Sequence, residues 1–409
     1  MGRIYNKLGK NQEALALEEP LVNISRKVLG ADDPSTLIRI HTLAIIYDEL
    51  GRHYEALGLM EPLVNISKRV LGAQNPSTLD RIQSLVVIYV RLGRYHEALE
   101  LGESLVDISK RVLGVEHPSL LSRIQNLAET YKLLGRYNDA LKLEKPLLDR
   151  TSRILGTEHP ETLYKIQNLA GTLIKLGNYD EALSLQEPLL ILSSKILGAE
   201  HPSTLFRNQS LGVTYARLGR YTNSLAILVP LADVFKRVLG DSHPDTLSEL
   251  KDLAWVYSQA SQYAAALSIQ EALIEKCKGV FREDHPFFLS LRQDLSETFF
   301  HLERYHDAMF LQRPLLEASH QTLGDEHPNT AALMYNLGRT LYHLGDYTEA
   351  MLLLVPAIEI SKQVLGDKHP DTLARIQSLD AIRDQMQPKA KKGKRLQELF
   401  HQFTLGWRL

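Results

Sequence analysis

Histidine is the side chain best suited to hold a metal or to move a proton near neutral pH. Seven of them here, His117, His159, His201, His243, His285, His327 and His369, recur at an interval of 42 residues. Each stands directly before a proline, and in the two preceding intervals Asp33 and Asn75 hold the same place. Asp, Asn and His share an acceptor on a short side chain, which is what the first turn of a helix asks of the residue before it. A shared metal is excluded by spacing, since stacked helices lie about 8–10 Å apart and zinc holds each nitrogen at about 2.1 Å. The histidines are expected to be helix caps. Other chemistry is missing too: there is no G-x-x-x-x-G-K-[ST], no strand-linked G-x-G-x-x-G, no G-x-S-x-G and no H-E-x-x-H. The single cysteine, Cys277, can make neither an intramolecular disulfide nor a Cys-based zinc cluster. The sequence reads as a non-enzyme with no catalytic residue, no metal and no cofactor.

The caps imply the elements behind them. Nine prolines from Pro34 to Pro370 keep the 42-residue interval without a slip. Alanine keeps it from Ala14 to Ala350, with Ser224 in one place, and a Leu-Gly pair keeps it from Leu29-Gly30 to Leu365-Gly366, broken only at Phe281-Arg282. Each interval reads as two antiparallel helices, A and B. In the unit after Asp33, Pro34 opens helix A where its missing N–H costs nothing. Leu37, Ile40, Leu43, Ala44 and Tyr47 follow at three-and-four spacing, and Gly51 ends the helix. Helix B starts near Tyr54, carries Ala56, Leu57, Leu63, Ile66 and Val70, and closes at Gly72. Pro20, Pro62, Pro146, Pro188, Pro230, Pro314 and Pro356 fall inside helix B, where a built-in kink is expected rather than a loop.

Leu43, Ala44, Tyr47 and Ala56 match the signature of the tetratricopeptide repeat (TPR), and the pattern resembles that family over nearly all of residues 1–387. The 42-residue period and the L-G-x-x-H-P-x-T-L junction, as at Leu155 to Leu163, are similar to the long repeat of kinesin light chains. TPR arrays of fungal NLR-like receptors are also similar. The resemblance implies an all-α fold, a right-handed α-solenoid of stacked antiparallel helix pairs. It also implies a concave face lined by helix A positions equivalent to 38, 41, 42, 45, 48 and 49. Down the array these positions give a ladder of side-chain amides, Gln83, Gln125, Gln167, Gln209 and Gln293, flanked by Asn126, Asn168 and Asn336. An amide offers both a donor and an acceptor, so such a ladder suits the backbone of an extended peptide. A basic row, Arg39, Arg81, Arg123, Lys165 and Arg207, runs beside it and stops at Glu249; it suits acidic residues in that peptide. Trp255, Phe300 and Tyr335, with Tyr342, would add aromatic anchors.

The organisation expected is a TPR solenoid over 1–387: a partial first unit at 1–30, eight helix pairs from about 33 to 366 and a final helix at 370–387. A basic linker at 388–395 and an amphipathic segment at 396–409 follow. Met1 aligns with Leu43, so an upstream domain, a misplaced start or another covering surface is expected there. The unit at 260–303 is irregular, with Ser261 and Glu303 in glycine places and six phenylalanines between Phe281 and Phe310. Forty-seven basic against forty-nine acidic residues give a net charge of −2, which argues against a nucleic-acid partner. With no secretory signal and no long apolar run, the reading is a cytoplasmic chain without a membrane span. The function expected is a protein-interaction scaffold binding a protein or extended peptide, in part acidic. The alternatives are a sensor fragment of a larger NLR-like receptor and a kinesin light chain-like cargo adaptor.

Overall fold

The structure, a computed structural model, describes residues 11–365 apart from 279, 283, 284 and 326, together with part of 372–380. The basic linker and the amphipathic tail lie outside the described residues, as do His369 and residues 1–10. All regular structure among the described residues is helical. Two compact units are present, residues 1–207 and 208–409.

The first unit holds α1 (Asn11–Val28), α2 (Pro34–Glu49), α3 (His53–Val70), α4 (Pro76–Arg91), α5 (Tyr95–Leu113), α6 (Pro118–Leu133), α7 (Tyr137–Leu155), α8 (Pro160–Lys175) and α9 (Tyr179–Leu197). The division falls inside α10 (Pro202–Arg217). The second unit holds α11 (Tyr221–Leu239), α12 (Pro244–Gln259), α13 (Tyr263–Cys277), α14 (Pro286–His301), α15 (Tyr305–Leu323), α16 (Pro328–Leu344) and α17 (Tyr347–Leu365). Even-numbered helices are the A helices and odd-numbered ones the B helices. Within each unit every helix packs on the next in the chain, and neighbouring A helices also touch, α2 on α4, α4 on α6 and α12 on α14.

Helix starts follow the caps. Asp33 accepts the backbone N–H of Ser35 at 2.8 Å, and Asn75 accepts that of Ser77 at 2.9 Å. His117, His159, His201, His243, His285 and His327 do the same through Nδ1, at 3.1–3.2 Å, two residues on. Each of these Nδ1 atoms accepts, so each imidazole carries its proton on Nε2. The histidines are caps. At the other end of helix A the chain turns through a left-handed residue, Gly51 at φ 76°, where a Cβ would crowd the following carbonyl. Ser261 and Glu303 adopt the same conformation, at φ 59° and 60°, although neither is glycine.

The core of each pair is the stripe between A and B. Leu37, Ile40, Leu43, Ala44 and Tyr47 of α2 are buried with Ala56, Met60 and Leu63 of α3, each large apolar side chain contributing about 1.5–3 kcal/mol. Size is matched across the seam. Gly212 and Gly338 face Leu228 and Leu354, and a Cβ added to Gly212 would lie 2.5 Å from Leu228 Cδ2. The B-helix prolines sit in continuous helix, so no loop interrupts it. Their position explains the tolerance. The residues four back, Ala16, Gly58, Lys142, Ser184, Ala226, Phe310 and Leu352, are all exposed. The carbonyl that proline leaves without a partner therefore belongs to a residue on the solvent side of the helix.

Candidate functional site

The 42-residue period puts equivalent side chains of successive A helices next to each other, so contacts 42 or 43 residues apart define one face. On α2 and α4, His41 Nε2 meets Ser84 Oγ at 2.9 Å, and Arg91 Nη1 lies 2.9 Å from Asp48 Oδ2. In the second unit Gln209 Nε2 donates to Asp252 Oδ2 at 2.8 Å, and Arg339 Nη1 lies 3.3 Å from Glu297 Oε1. These residues occupy the positions equivalent to 41, 42, 45, 48 and 49.

The amide ladder splits in two along this face. Gln83, Gln167, Asn126 and Asn168 are half-buried and Gln125 is buried. In the first unit several of their polar atoms are covered yet unpaired: Gln83 Nε2, both amide atoms of Gln125, Gln167 Oε1 and Asn168 Nδ2. An unpaired polar atom removed from water costs about 1–3 kcal/mol. In the second unit the ladder is closed at its first rung, where Asp252 takes Gln209. Gln293, Tyr335 and Asn336 are half-buried on α14 and α16.

The basic row is not an open rim, since four of its five side chains are covered by their neighbours. Arg81, Arg123, Lys165 and Arg207 are only 2%, 3%, 5% and 8% exposed. Arg81, Arg123 and Arg207 each donate Nη1 to a hydroxyl of the preceding B helix, Ser67, Ser109 and Ser193, at 2.7–2.9 Å. Lys165 Nζ pairs with Glu161 one turn back at 2.6 Å. Burial holds the guanidinium pKa of Arg81, Arg123 and Arg207 below its ordinary value. Only Arg39 is half-exposed, with Glu18 at 3.6 Å. The physical reason lies outside helix A: the long side chain folds back to a hydroxyl on another helix.

The aromatic residues also have internal partners. The Arg217 guanidinium lies 4.4 Å from the Trp255 ring, and Arg339 lies 4.1 Å from Phe300 and 5.6 Å from Tyr335. Tyr305 stacks on His343 at 4.7 Å. Motif searching passes over Tyr164 and Phe206, which are 50% and 57% exposed. They hold the position equivalent to 38 on α8 and α10, three residues before Gln167 and Gln209, and that spacing is the signal that places them on this face.

Beneath the second unit's face lies Glu249, fully buried at 0% exposure, with neither carboxylate oxygen hydrogen-bonded. Burial, then repulsion from Asp252, pushes its carboxyl up to about 9. Burial also raises Asp252 and Asp294. No group of three or more His, Cys, Asp or Glu able to hold a metal occurs among the described residues. None of their helices is long and apolar enough to cross a membrane.

The family model of the tetratricopeptide repeat matches residues 1–69, 41–110, 78–151, 162–221, 206–279 and 330–371. The chain belongs to the tetratricopeptide repeat family. This TPR protein is similar to the nearly identical TPR-like repeats of a Podosopora anserina protein assigned as a kinesin light chain, at 25% identity and TM-score 0.45, over 51% of this chain and 98% of that one. It is similar to the apo form of the quorum sensor NprR from B. thuringiensis at 15% identity and TM-score 0.60, over 88% and 98% of the two chains. It is also similar to a monomeric variant of IFIT1 with Gppp-AAAA, at 16% identity and TM-score 0.55, over 96% and 81%. A search of curated proteins finds no match. The last two likenesses concern the fold alone, and the TPR fold carries many unrelated binding functions.

Proposed function

We propose that this TPR protein is a non-catalytic interaction scaffold that takes an extended segment of a partner protein on the A-helix face of its first unit. The observation that carries this reading is the set of unpaired amide atoms on Gln83, Gln125, Gln167 and Asn168. Each is a donor or acceptor already removed from water, so a peptide backbone that supplies its complement relieves a penalty the free protein carries. The side chains are covered by their neighbours, so this reading requires the amides to turn outward about their own torsions to reach the ligand. Because the basic row is turned inward, the partner needs no run of acidic residues. The second unit's face is closed by Gln209–Asp252 and the arginine–ring contacts and supplies no ladder of its own.

The test is a pull-down with the intact protein and with the quadruple variant Gln125→Ala, Asn126→Ala, Gln167→Ala and Asn168→Ala, after circular dichroism shows equal helicity. Partners captured by the intact protein and lost by the variant support the reading. Identical partner lists overturn it.

A further inference from the structure

Six A helices start on a histidine that accepts a hydrogen bond. Nδ1 of His117, His159, His201, His243, His285 and His327 takes the backbone N–H two residues on, at 3.1–3.2 Å. Only a neutral ring can do this. An imidazolium carries a proton on both nitrogens and has no acceptor left. Its positive charge would also stand at the positive end of the helix dipole. One proton per ring therefore removes the cap and puts a repulsion in its place. Histidine is the side chain that ordinarily changes charge between pH 5 and 8. His117, His159, His201 and His285 are exposed, so protons from solvent reach them.

Two A helices of the same chain lack this feature. Asp33 caps α2 and Asn75 caps α4, through the same bond to the residue two on. An amide does not titrate, and a carboxylate ordinarily keeps its charge above about pH 5.

The charges around the caps decide how far each ring follows. The last turn of the preceding B helix carries cations before five of them: Lys110 and Arg111, Arg153, Lys195, Lys236 and Arg237, and Lys276. The sixth, His327, follows His320, which pairs with Asp325 at 2.5 Å. Glu116 and Glu200 adjoin His117 and His201 in the chain. Around His159, Glu158 is held by Lys195 at 3.4 Å and Glu161 by Lys165 at 2.6 Å. Phe281 stacks on His285 at 4.5 Å. At His243, Asp241 is held by Lys276 at 3.0 Å, but the Asp245 carboxylate lies 3.7 Å from Nδ1 and favours a proton there.

From the six accepting rings and the two caps that do not titrate with them, we infer that this fold contains an acid-sensitive device. Acid uncaps α6, α8, α10, α14 and α16 together, while α2 and α4 keep their starts. At α12 an ion pair with Asp245 replaces part of what is lost. The unfolded chain makes none of these bonds, so the stability they contribute is full at neutral and alkaline pH and is lost as pH falls. By the usual worth of a cap, the first turn of each helix opens about 2- to 30-fold more often.

The experiment is hydrogen exchange followed by mass spectrometry on the whole chain at pH 7.5 and 5.5, with rates corrected for the intrinsic pH dependence of exchange. Readout at helix starts is needed because other groups titrate oppositely: Glu249 in the core, and His53 and His301, which have carboxylates at 2.8 and 3.4 Å. The companion variant changes all six rings to asparagine, which caps without titrating. The result expected at pH 5.5 is opening of the first turns of α6, α8, α10, α14 and α16 that is at least about threefold greater, with α2 and α4 unchanged and the variant unchanged throughout. Equal changes in α4 and α6 overturn the inference, as does a change that persists in the variant, or no change at α6 and α8. Should the sixfold variant fail to fold, His159→Asn alone must abolish the response at α8 and leave it at α6; a response that persists at α8 overturns the inference.

Discussion

The two units of this chain fill one repeat position with different chemistry in most of their repeats. Each repeat has a position on helix A, fourteen residues after a B-helix residue, that points into the seam between helices. In the first unit it is filled by a buried cation, Arg81 on Ser67 and Arg123 on Ser109. In the second unit Arg375 again bonds Ser361, but the other register-equivalent pairs are Glu249 with Phe235, Leu291 with Cys277 and Leu333 with Ser319. Leu291 and Leu333 are buried apolar side chains, whereas Glu249 is a buried acid with no hydrogen bond. The same contrast runs along the outer face. Acids, rings and guanidinium groups are bonded to one another in both units, as in Arg91–Asp48 and Arg339–Glu297, but the unpaired amides of the A helices are on the first. A 42-residue backbone repeat therefore fixes where a side chain stands but leaves open whether its polar atoms are satisfied inside the protein.

The largest effect is expected at Glu249. In the unfolded chain its carboxyl ionises near 4.5, while in the fold it is pushed up to about 9, by burial first and by Asp252 second. Its folded pKa is thus raised above the unfolded one. The stability it allows is full below about pH 4.5 and is lost as pH rises towards 9. Between pH 5 and 8 the second unit should lose at least about 2 kcal/mol from this group. Glu249→Leu, which copies Leu291, should flatten that decline when hydrogen exchange in α12 is followed against pH. An unchanged slope would mean that the acid finds a partner.

Exchanging the two solutions gives a slightly smaller effect. Arg123→Leu alone should cost about 2 kcal/mol, because Ser109 and Asp80 lose their donor. The double variant Arg123→Leu/Ser109→Cys reproduces the Leu291–Cys277 pair and should recover most of that loss, as buried polar pairs often yield to apolar ones. Urea titrations of the three proteins decide it, and a double variant no better than the single one would show that the cation row is indispensable to the first unit.

Packing at the seam comes next. Gly212→Ala should destabilise the second unit by about 1–3 kcal/mol, since its Cβ would stand 2.5 Å from Leu228 Cδ2. Adding Leu228→Ala opens the space and should return part of that loss in a thermal melt. The smallest effect concerns helix ends. The first unit turns on Gly51, Gly93, Gly135 and Gly177, while the second turns on Gly219 and Gly345 and, between them, on Ser261 and Glu303 with positive φ. Ser261→Gly and Glu303→Gly should each stabilise by up to about 1 kcal/mol, less the extra freedom glycine has when unfolded. Melting temperatures that fall instead would show that these side chains hold the turn.

Much of the fold was legible because its determinants are local. Pro34, Asp33, His117 and Gly51 act on backbone atoms within a few residues of themselves, so caps, first turns and chain reversals follow from spacing alone. The apolar stripe Leu37, Ile40, Leu43, Ala44 and Tyr47 is equally local, since three-and-four spacing defines a helix face before any neighbour exists. The basic row was legible as a row but not as a buried one. Arg123 can extend to water or fold back, and Ser109 and Asp80, on two other helices, settle which.

The sequence by itself determined the repeat, the helix ends, the apolar seam and the side chains that share a face. Only the tertiary structure decided which polar atoms on that face are already taken. Gln125 and Gln209 are the same residue at the same repeat position, yet one is unpaired and the other is held by Asp252, 43 residues away. A hydrogen bond across two helices needs both partners within about 3 Å, and that distance exists only once the helices are packed.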